Sequence, residues 1–325
     1  MTNAAGPATT DVAPIISARG LTRTFNGTMA VAGLSLDVAP GTILGLIGPS
    51  GSGKTTTIRM LTGTLSRTDG DCRVLGEDPL RFSRRARRQI AYMPQLFSLY
   101  DDLTAEENVG FVAGLYGVGP LARRSLVREA LRVVGLSEVR HRLARQLSGG
   151  MQRRLELACA LVHSPSVLFI DEPTTGIDPV LRQAIWQELH RLRSEGRTML
   201  ITTQYVSEAE YCDVVALIAD GELVALDRPA ALRRMVFGGE VLEVNTARAV
   251  DPEMLAPIEG LLNVRQTQAR QLIVVATDGS VATPRIIDAL RGRGIDVIDI
   301  SEYQPSFDDV FAGLVERRRA QRNAA

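Results

Sequence analysis

The segment Gly48-Pro-Ser-Gly-Ser-Gly-Lys-Thr55 sets glycines, a lysine and a hydroxyl side chain at the spacing that wraps a phosphate. Lys54 is the single lysine of the chain, and the other 36 of the 37 basic residues are arginine. Such a chain is expected to keep lysine where a compact, flexible ammonium is needed and a planar guanidinium fails. A coding bias alone would put it here about once in three hundred. Backbone N–H groups of the loop would converge on phosphate oxygens, reinforced by the positive end of the helix that follows. Gly48, Gly51 and Gly53 permit the curled backbone, and Pro49, Ser50, Ser52 and Thr56 complete the candidate contacts. Lys54 is expected to bind the β- and γ-phosphates and the Thr55 hydroxyl to coordinate magnesium. Asp171, at the end of the apolar run Val167-Leu-Phe-Ile170, is the expected acid that holds this magnesium through water. The loop alone marks only some nucleoside triphosphatase or kinase.

These residues need a scaffold that brings strand ends together. From Ile15 to about Met235 short apolar strands alternate with amphipathic helices, an α/β layer pattern. Thr42–Ile47 reads as a buried strand opening into the glycine loop, and Thr55–Leu61 as helix. Apolar runs ending in Asp171-Glu172 and, after Thr198–Thr203, in Gln204 place those side chains at a sheet's carboxyl edge, where ligands of open α/β sheets bind. Val214–Ala219, Asp220-Gly221 and Glu222–Leu226 read as a hairpin. A mostly helical stretch, Leu103–Leu161, predicts a helical subdomain over about 96–165. After Gly238-Gly239 the pattern becomes strand Val241–Asn245, helix Pro252–Gly260, strands Asn263–Gln268 and Gln271–Thr277, helix Thr283–Arg293 and strand Asp296–Ser301. That β-α-β-β-α-β order is ferredoxin-like. The expected division is a disordered tail at 1–14, a sheet domain at 15–238 and an accessory α+β domain at 239–325, ending in helix Phe307–Arg319 and a basic tail.

With 325 residues and 45% apolar composition the chain can bury a sizeable core. Its 37 basic and 37 acidic residues cancel, so no global field recruits nucleic acid or anionic lipid. Arg84-Arg-Ala-Arg-Arg88 reads as a solvated helix face, and nucleic acid is not expected. Cys72, Cys159 and Cys212 are far apart, which fits buried thiols in a reducing cytoplasm. His141, His163 and His190 share no ligand spacing. No run of 18 apolar residues occurs, so any membrane part would come from another subunit.

At Leu147-Ser-Gly-Gly-Met-Gln152, shortly before Asp171, the chain resembles the ATP-binding-cassette (ABC) family over about Ile15–Pro229. The resemblance implies a P-loop NTPase fold with an inserted helical subdomain, bound ATP and magnesium, and a head-to-tail dimer. Ser148, Gly149 and Gly150 match the signature that contacts the γ-phosphate held by the opposite subunit; locally Ser148 also reads as a helix cap. Gln95 matches the glutamine that senses magnesium and the attacking water and couples to a membrane subunit. Glu172 matches the carboxylate that polarises the water, and Asp178 the acid that communicates across the dimer. Phe25 falls where the family stacks an aromatic ring on adenine, although core packing explains a phenylalanine there equally well.

One position departs from the family pattern, which usually has histidine where this chain has Gln204. A glutamine can donate to the γ-phosphate but takes up no proton near neutral pH, so ATP binding should survive and the hydrolysis rate is put in doubt. Ile-Thr-Thr-Gln-Tyr205 is similar to the drug-resistance branch of type-two exporters. Gln95–Asn108 resembles their coupling region, and Pro305-Ser-Phe-Asp-Asp-Val-Phe311 their C-terminal element. The implied protein is the ATPase subunit of an exporter of a drug, antibiotic, lipid or similar amphipathic cargo. It would work as a dimer, the expected partner being an identical copy, beneath polytopic permease subunits at the cytoplasmic face of the membrane. The alternative is a cassette ATPase of translation or DNA repair, but such chains usually carry two cassettes, long coiled coils or zinc fingers. A small-molecule kinase would leave Leu147–Met151 and Glu172 unexplained.

Overall fold

The computed structural model describes residues 13–96 and 98–324, with side chains through residue 320; the expected tail lies outside the described residues as far as residue 12. Two compact units divide at Asp227/Arg228. In the first, β1 (Ile16–Phe25), β2 (Thr28–Val38) and β4 (Asp69–Val74) form an antiparallel sheet in the order β2-β1-β4. Between β2 and β4 the chain supplies β3 (Ile43–Ile47) and α1 (Lys54–Leu61). After β4 come α2 (Arg84–Gln89), which carries the arginine run, and β5 (Ile90–Met93). Helices α3 (Ala105–Leu115), α4 (Pro120–Val133) and α5 (Gly149–Leu161) then pack on one another before β6 (Val167–Asp171). Next follow α6 (Pro179–Ser194), β7 (Thr198–Thr203), β8 (Val214–Ala219) and β9 (Glu222–Asp227).

The second sheet runs β5-β6-β7-β3-β8-β9, parallel except for the last pair. Every residue of β3, β6 and β7 is buried, as continuous apolar runs covered on both faces require. Leu44, Leu46, Phe169 and Leu200 join the antiparallel sheet and α1 in one core. Full burial of each such side chain contributes about 1.5–3 kcal/mol. The β8–β9 turn is formed by Asp220 and Gly221, both at positive φ (51° and 79°), which suits the strand twist of a two-residue hairpin. All three cysteines are buried, and the Cys212 sulfur sits so near Gly45 that a Cβ there would lie 2.5 Å from it.

His163 stacks on Tyr116 with ring centroids 3.6 Å apart, and its Nε2 lies 3.1 Å from the Ile90 carbonyl oxygen. Its Nδ1 is buried without a partner, so a second ring proton would find no acceptor. Burial is the main cause that lowers its pKa to about 4, with Arg197 adding repulsion. The unfolded chain therefore binds the proton first. Stability from the neutral ring is complete above about pH 6.5 and is lost as pH falls toward 4, by about 2–3 kcal/mol. The variant His163→Phe should lose less stability between pH 7.5 and 4.5 than the parent, read as the shift in urea midpoint.

The second unit begins earlier than the Gly238-Gly239 composition change suggested. Helix α7 (Pro229–Phe237) packs on α9 (Phe307–Ala324), and Arg233 lies 4.6 Å over the Phe307 ring and donates to the Pro305 carbonyl. Strands β10 (Glu240–Thr246), β11 (Leu261–Gln268), β12 (Gln271–Ala276) and β13 (Val297–Glu302) form an antiparallel sheet in the order β11-β12-β10-β13, with α8 (Gly279–Arg291) between the last two strands in sequence. Ile286 and Leu290 of α8 pack with Leu242, Val244, Leu272 and Val274. The helix expected at Pro252–Gly260 is only a 3-10 turn, Pro252–Met254. Pro257 removes a helical donor and disfavours helix at Ala256, and Gly260 turns to φ 94°. Helix α8 starts before Thr283 because Asp278 accepts from the Ser280 and Val281 N–H groups.

Candidate active site

The loop after β3 is glycine-rich because backbone surrounds it. A Cβ on Gly48 would lie 2.0 Å from the Ile218 carbonyl oxygen, and one on Gly53 2.4 Å from that of Ala30. Gly53 caps α1 at φ 99° with no side-chain hydrogen bond, so the first-turn N–H groups have no side-chain cap and can face an anion. Lys54 is 4% exposed and curls back over the loop, its Nζ donating to the carbonyls of Gly48 (2.9 Å) and Pro49 (3.0 Å). Glu172 Oε1 lies 3.6 Å from it. Burial pushes the Lys54 ammonium pKa down, opposed by Glu172 and Asp171.

The acids arrive through strand register: β6 beside β7 pairs Asp171 with Thr202, and β7 beside β3 pairs Thr203 with Ile47. Asp171 is fully buried. Its Oδ1 accepts from Thr55 Oγ1 (3.1 Å) and Thr202 Oγ1 (2.5 Å), whereas Oδ2 has no hydrogen-bond partner. A buried, unpartnered carboxylate oxygen beside a threonine hydroxyl is a set of hard oxygen donors that fits magnesium. Glu172 has φ 50°, an uncommon conformation for a side chain with a Cβ, and its N–H is held by the Thr202 carbonyl and hydroxyl. Its carboxylate accepts from Gln95 Nε2 (2.9 Å) and Thr175 Oγ1 (3.0 Å). Lys54, Thr55, Gln95, Asp171 and Glu172 thus form one interlocked cluster.

Other expected residues stand apart from it. Ser148 caps α5 by accepting from the Met151 N–H at 3.3 Å. A Cβ on Gly149 would meet open space, whereas one on Gly150 would lie 2.2 Å from Leu181 Cδ2. Asp178 caps α6 through the Val180 and Leu181 N–H groups, both at 3.0 Å. Phe25 is 41% exposed and pairs with Thr28 beside the β1–β2 turn, with the Arg23 guanidinium 4.4 Å from its ring centroid; it is not a core residue. Gln204 is half-buried just beyond β7. Among the described residues no hydrogen bond or ion pair joins Phe25, residues 148–150, Asp178 or Gln204 to the loop 48–56.

Sequence reasoning missed Thr175, Thr202 and above all Arg153. This arginine is 3% exposed and donates to the carbonyls of Asp171 and Glu172, each at 2.8 Å. A signal was available in the i, i+4, i+7 series Arg153, Leu157, Ala160, which sets a cation on a buried helix face.

A glycine loop joining a buried strand to a helix, a lysine enclosed by it and an acid at the end of a parallel strand define a P-loop nucleoside triphosphatase. The family model described as ABC transporter matches residues 31–175. The chain is 37% identical over 315 residues to the probable multidrug ABC transporter ATP-binding protein YbhF of Escherichia coli, covering 93% of this chain and 52% of that protein. It thus spans about half the length of that relative. It is 36% identical over 306 residues, 92% of each chain, to the daunorubicin/doxorubicin resistance ATP-binding protein DrrA of Streptomyces peucetius. A solved dimeric ATP-binding cassette in a post-hydrolysis state bound to ADP and Pi superposes with a TM-score of 0.61 at 26% identity, covering 66% of this chain and 98% of that one. The chain belongs to the ABC transporter family.

Proposed function

We propose that this chain is the ATP-binding and ATP-hydrolysing subunit of a multi-subunit exporter for a drug, antibiotic, lipid or similar amphipathic cargo. Two cassettes, taken as identical copies, would act beneath separate polytopic permease subunits at the cytoplasmic face of the membrane. The observation that carries this reading is the split site. One protomer interlocks Lys54, Thr55, Gln95, Asp171 and Glu172, while its signature Ser148-Gly149-Gly150 forms the N-terminus of α5, makes no hydrogen bond or ion pair with that cluster among the described residues, and is open at Gly149. A second copy laying its signature over the loop would complete the phosphate shell and trap ATP between chains, with Asp178 beside the junction.

Lys54 and the backbone N–H groups of residues 50–56, including Ser50, Ser52 and Thr56, would bind the phosphates, and Phe25 would offer its free face to adenine. Thr55 and Asp171 would hold magnesium, with Gln95 near it; when bound, the ion neutralises charge on the β- and γ-phosphates. Glu172 would orient and polarise the attacking water. The exposed Leu96, Tyr100, Phe111 and Leu115 on the segments after Gln95 support a docking surface for the permease, and α3–α5 support the helical subdomain reading. The order β11-β12-β10-β13 supports a ferredoxin-like accessory domain, for which regulation or dimer support is the proposed role. No helix among the described residues is long and apolar enough to cross a membrane.

Affinity isolation of the chain from native membranes tests the assignment. A stoichiometric polytopic protein is expected; ribosomes or DNA in its place would overturn it. At the site itself, Gln204→Ala should lower hydrolysis by about tenfold or more while ATP affinity stays within about threefold. Equal ATPase rates in variant and parent would remove the role assigned to Gln204.

A further inference from the structure

Arg153 is not among the residues given a role above, yet its guanidinium is hydrogen-bonded to the backbone of the segment that carries Glu172. On one side its guanidinium donates to three consecutive carbonyls, those of Asp171 (2.8 Å), Glu172 (2.8 Å) and Pro173 (3.3 Å). On the other, Nη1 donates to the carbonyls of Pro94 (2.9 Å) and Gln95 (3.4 Å) and to Glu156 Oε2 (2.7 Å). Glu156 is itself buried, and its Oε1 accepts from the Ser98 N–H at 2.8 Å. One planar five-donor group therefore spans the segments after β5 and β6 and ties both to the helix that begins at the signature.

The backbone of Glu172 explains why such an anchor is needed. A left-handed φ is unfavourable for glutamate and persists only where the surroundings over-determine it. Thr202 holds the amide side of Glu172, and Arg153 holds its carbonyl and those on either side. Released from Arg153, the segment can relax to negative φ, which would swing the carboxylate off Gln95, Thr175 and Lys54. A lysine offers no fork for both segments, and a neutral side chain would leave Glu156 as an uncompensated buried charge.

We propose that Arg153 is a positioning residue for hydrolysis, holding Glu172 in its left-handed conformation and fixing the Gln95 segment to the same anchor. This rests on the hydrolytic role proposed for Glu172. The test is a double-mutant cycle on the full chain with ATP and magnesium: parent, Arg153→Gln, Glu172→Gln and the pair, compared by single-turnover hydrolysis and by binding of a fluorescent ATP analogue. Alone, Arg153→Gln should lower the rate by about 10- to 100-fold with nucleotide affinity within about threefold. In the Glu172→Gln background it should cost less than about threefold, because the group it positions is already disabled. Arg153→Lys, which keeps the charge beside Glu156, should recover part of the rate, and it carries the same cycle if the glutamine variant does not fold. Equal factors in both backgrounds, or loss of affinity without loss of rate, would overturn the proposal. A parent with no hydrolysis would instead sink the functional reading of the site, a result distinct from an active parent with an uncoupled cycle.

Discussion

Glu172→Gln is expected to lower kcat for ATP hydrolysis by about 10²–10⁴-fold while leaving ATP binding intact or tighter. The two side chains match in volume, and the new carbonyl oxygen can still accept from Gln95 and Thr175, which now bond the carboxylate at 2.9 and 3.0 Å. The fold and the loop should therefore persist. What the amide lacks is the ability to accept a proton from water. It also lacks the charge that faces Lys54 at 3.6 Å, so the ammonium would be freer to attract phosphate. Steady-state kinetics beside a nucleotide-binding titration check both halves. A variant with the parent's kcat would show that the water is activated elsewhere, and one that no longer binds ATP would show Glu172 to be a structural prop of the loop.

Lys54→Arg should be nearly as damaging as Lys54→Ala, with ATP affinity reduced by about 100-fold or more, although the charge is kept. Lys54 is 4% exposed and its Nζ fits between two loop carbonyls and Glu172. A guanidinium is wider, planar and carries five donors, and those acceptors do not form the fork that it requires. Inserting it would push on a loop whose walls are backbone, since the Ile218 and Ala30 carbonyls already exclude a Cβ at Gly48 and Gly53. Overpacking of this kind costs about 1–3 kcal/mol. Binding measurements with a melting curve decide the matter: an arginine variant that binds ATP like the parent would mean that charge alone matters here, and that the chain's single lysine is a coding accident.

The parts of the site that are contiguous in sequence were legible. Gly48–Thr55 carries its own strand–loop–helix context, and the buried runs ending in Asp171-Glu172 and before Gln204 declare a sheet edge, because a fully covered strand must be apolar until it leaves the sheet. Gln95 was reachable only by resemblance, since its meaning lies in meeting Glu172 from a different strand end. Arg153 and Thr202 act through backbone carbonyls and hydroxyls that only tertiary packing brings near, and no local pattern encodes such partners. The second unit was read less well for local reasons. Thr283-Pro284 looks like a helix start, yet Asp278 provides an earlier cap, and Pro257 shortens a helix that its apolar spacing suggests. The unit boundary shifted because α7 follows the first sheet in sequence but packs on α9.

The buried cysteines make the chain convenient for spectroscopy. Burial pushes the thiols of Cys72 and Cys159 up to about 11 and about 12, and that of Cys212 higher still, so little thiolate is available to electrophiles at neutral pH. A cysteine introduced at Val180, 79% exposed and two residues past Asp178, would react with maleimide dyes or spin labels while the native three stay silent. The closure proposed for two identical cassettes could then be followed as the distance between two labels, one on each chain.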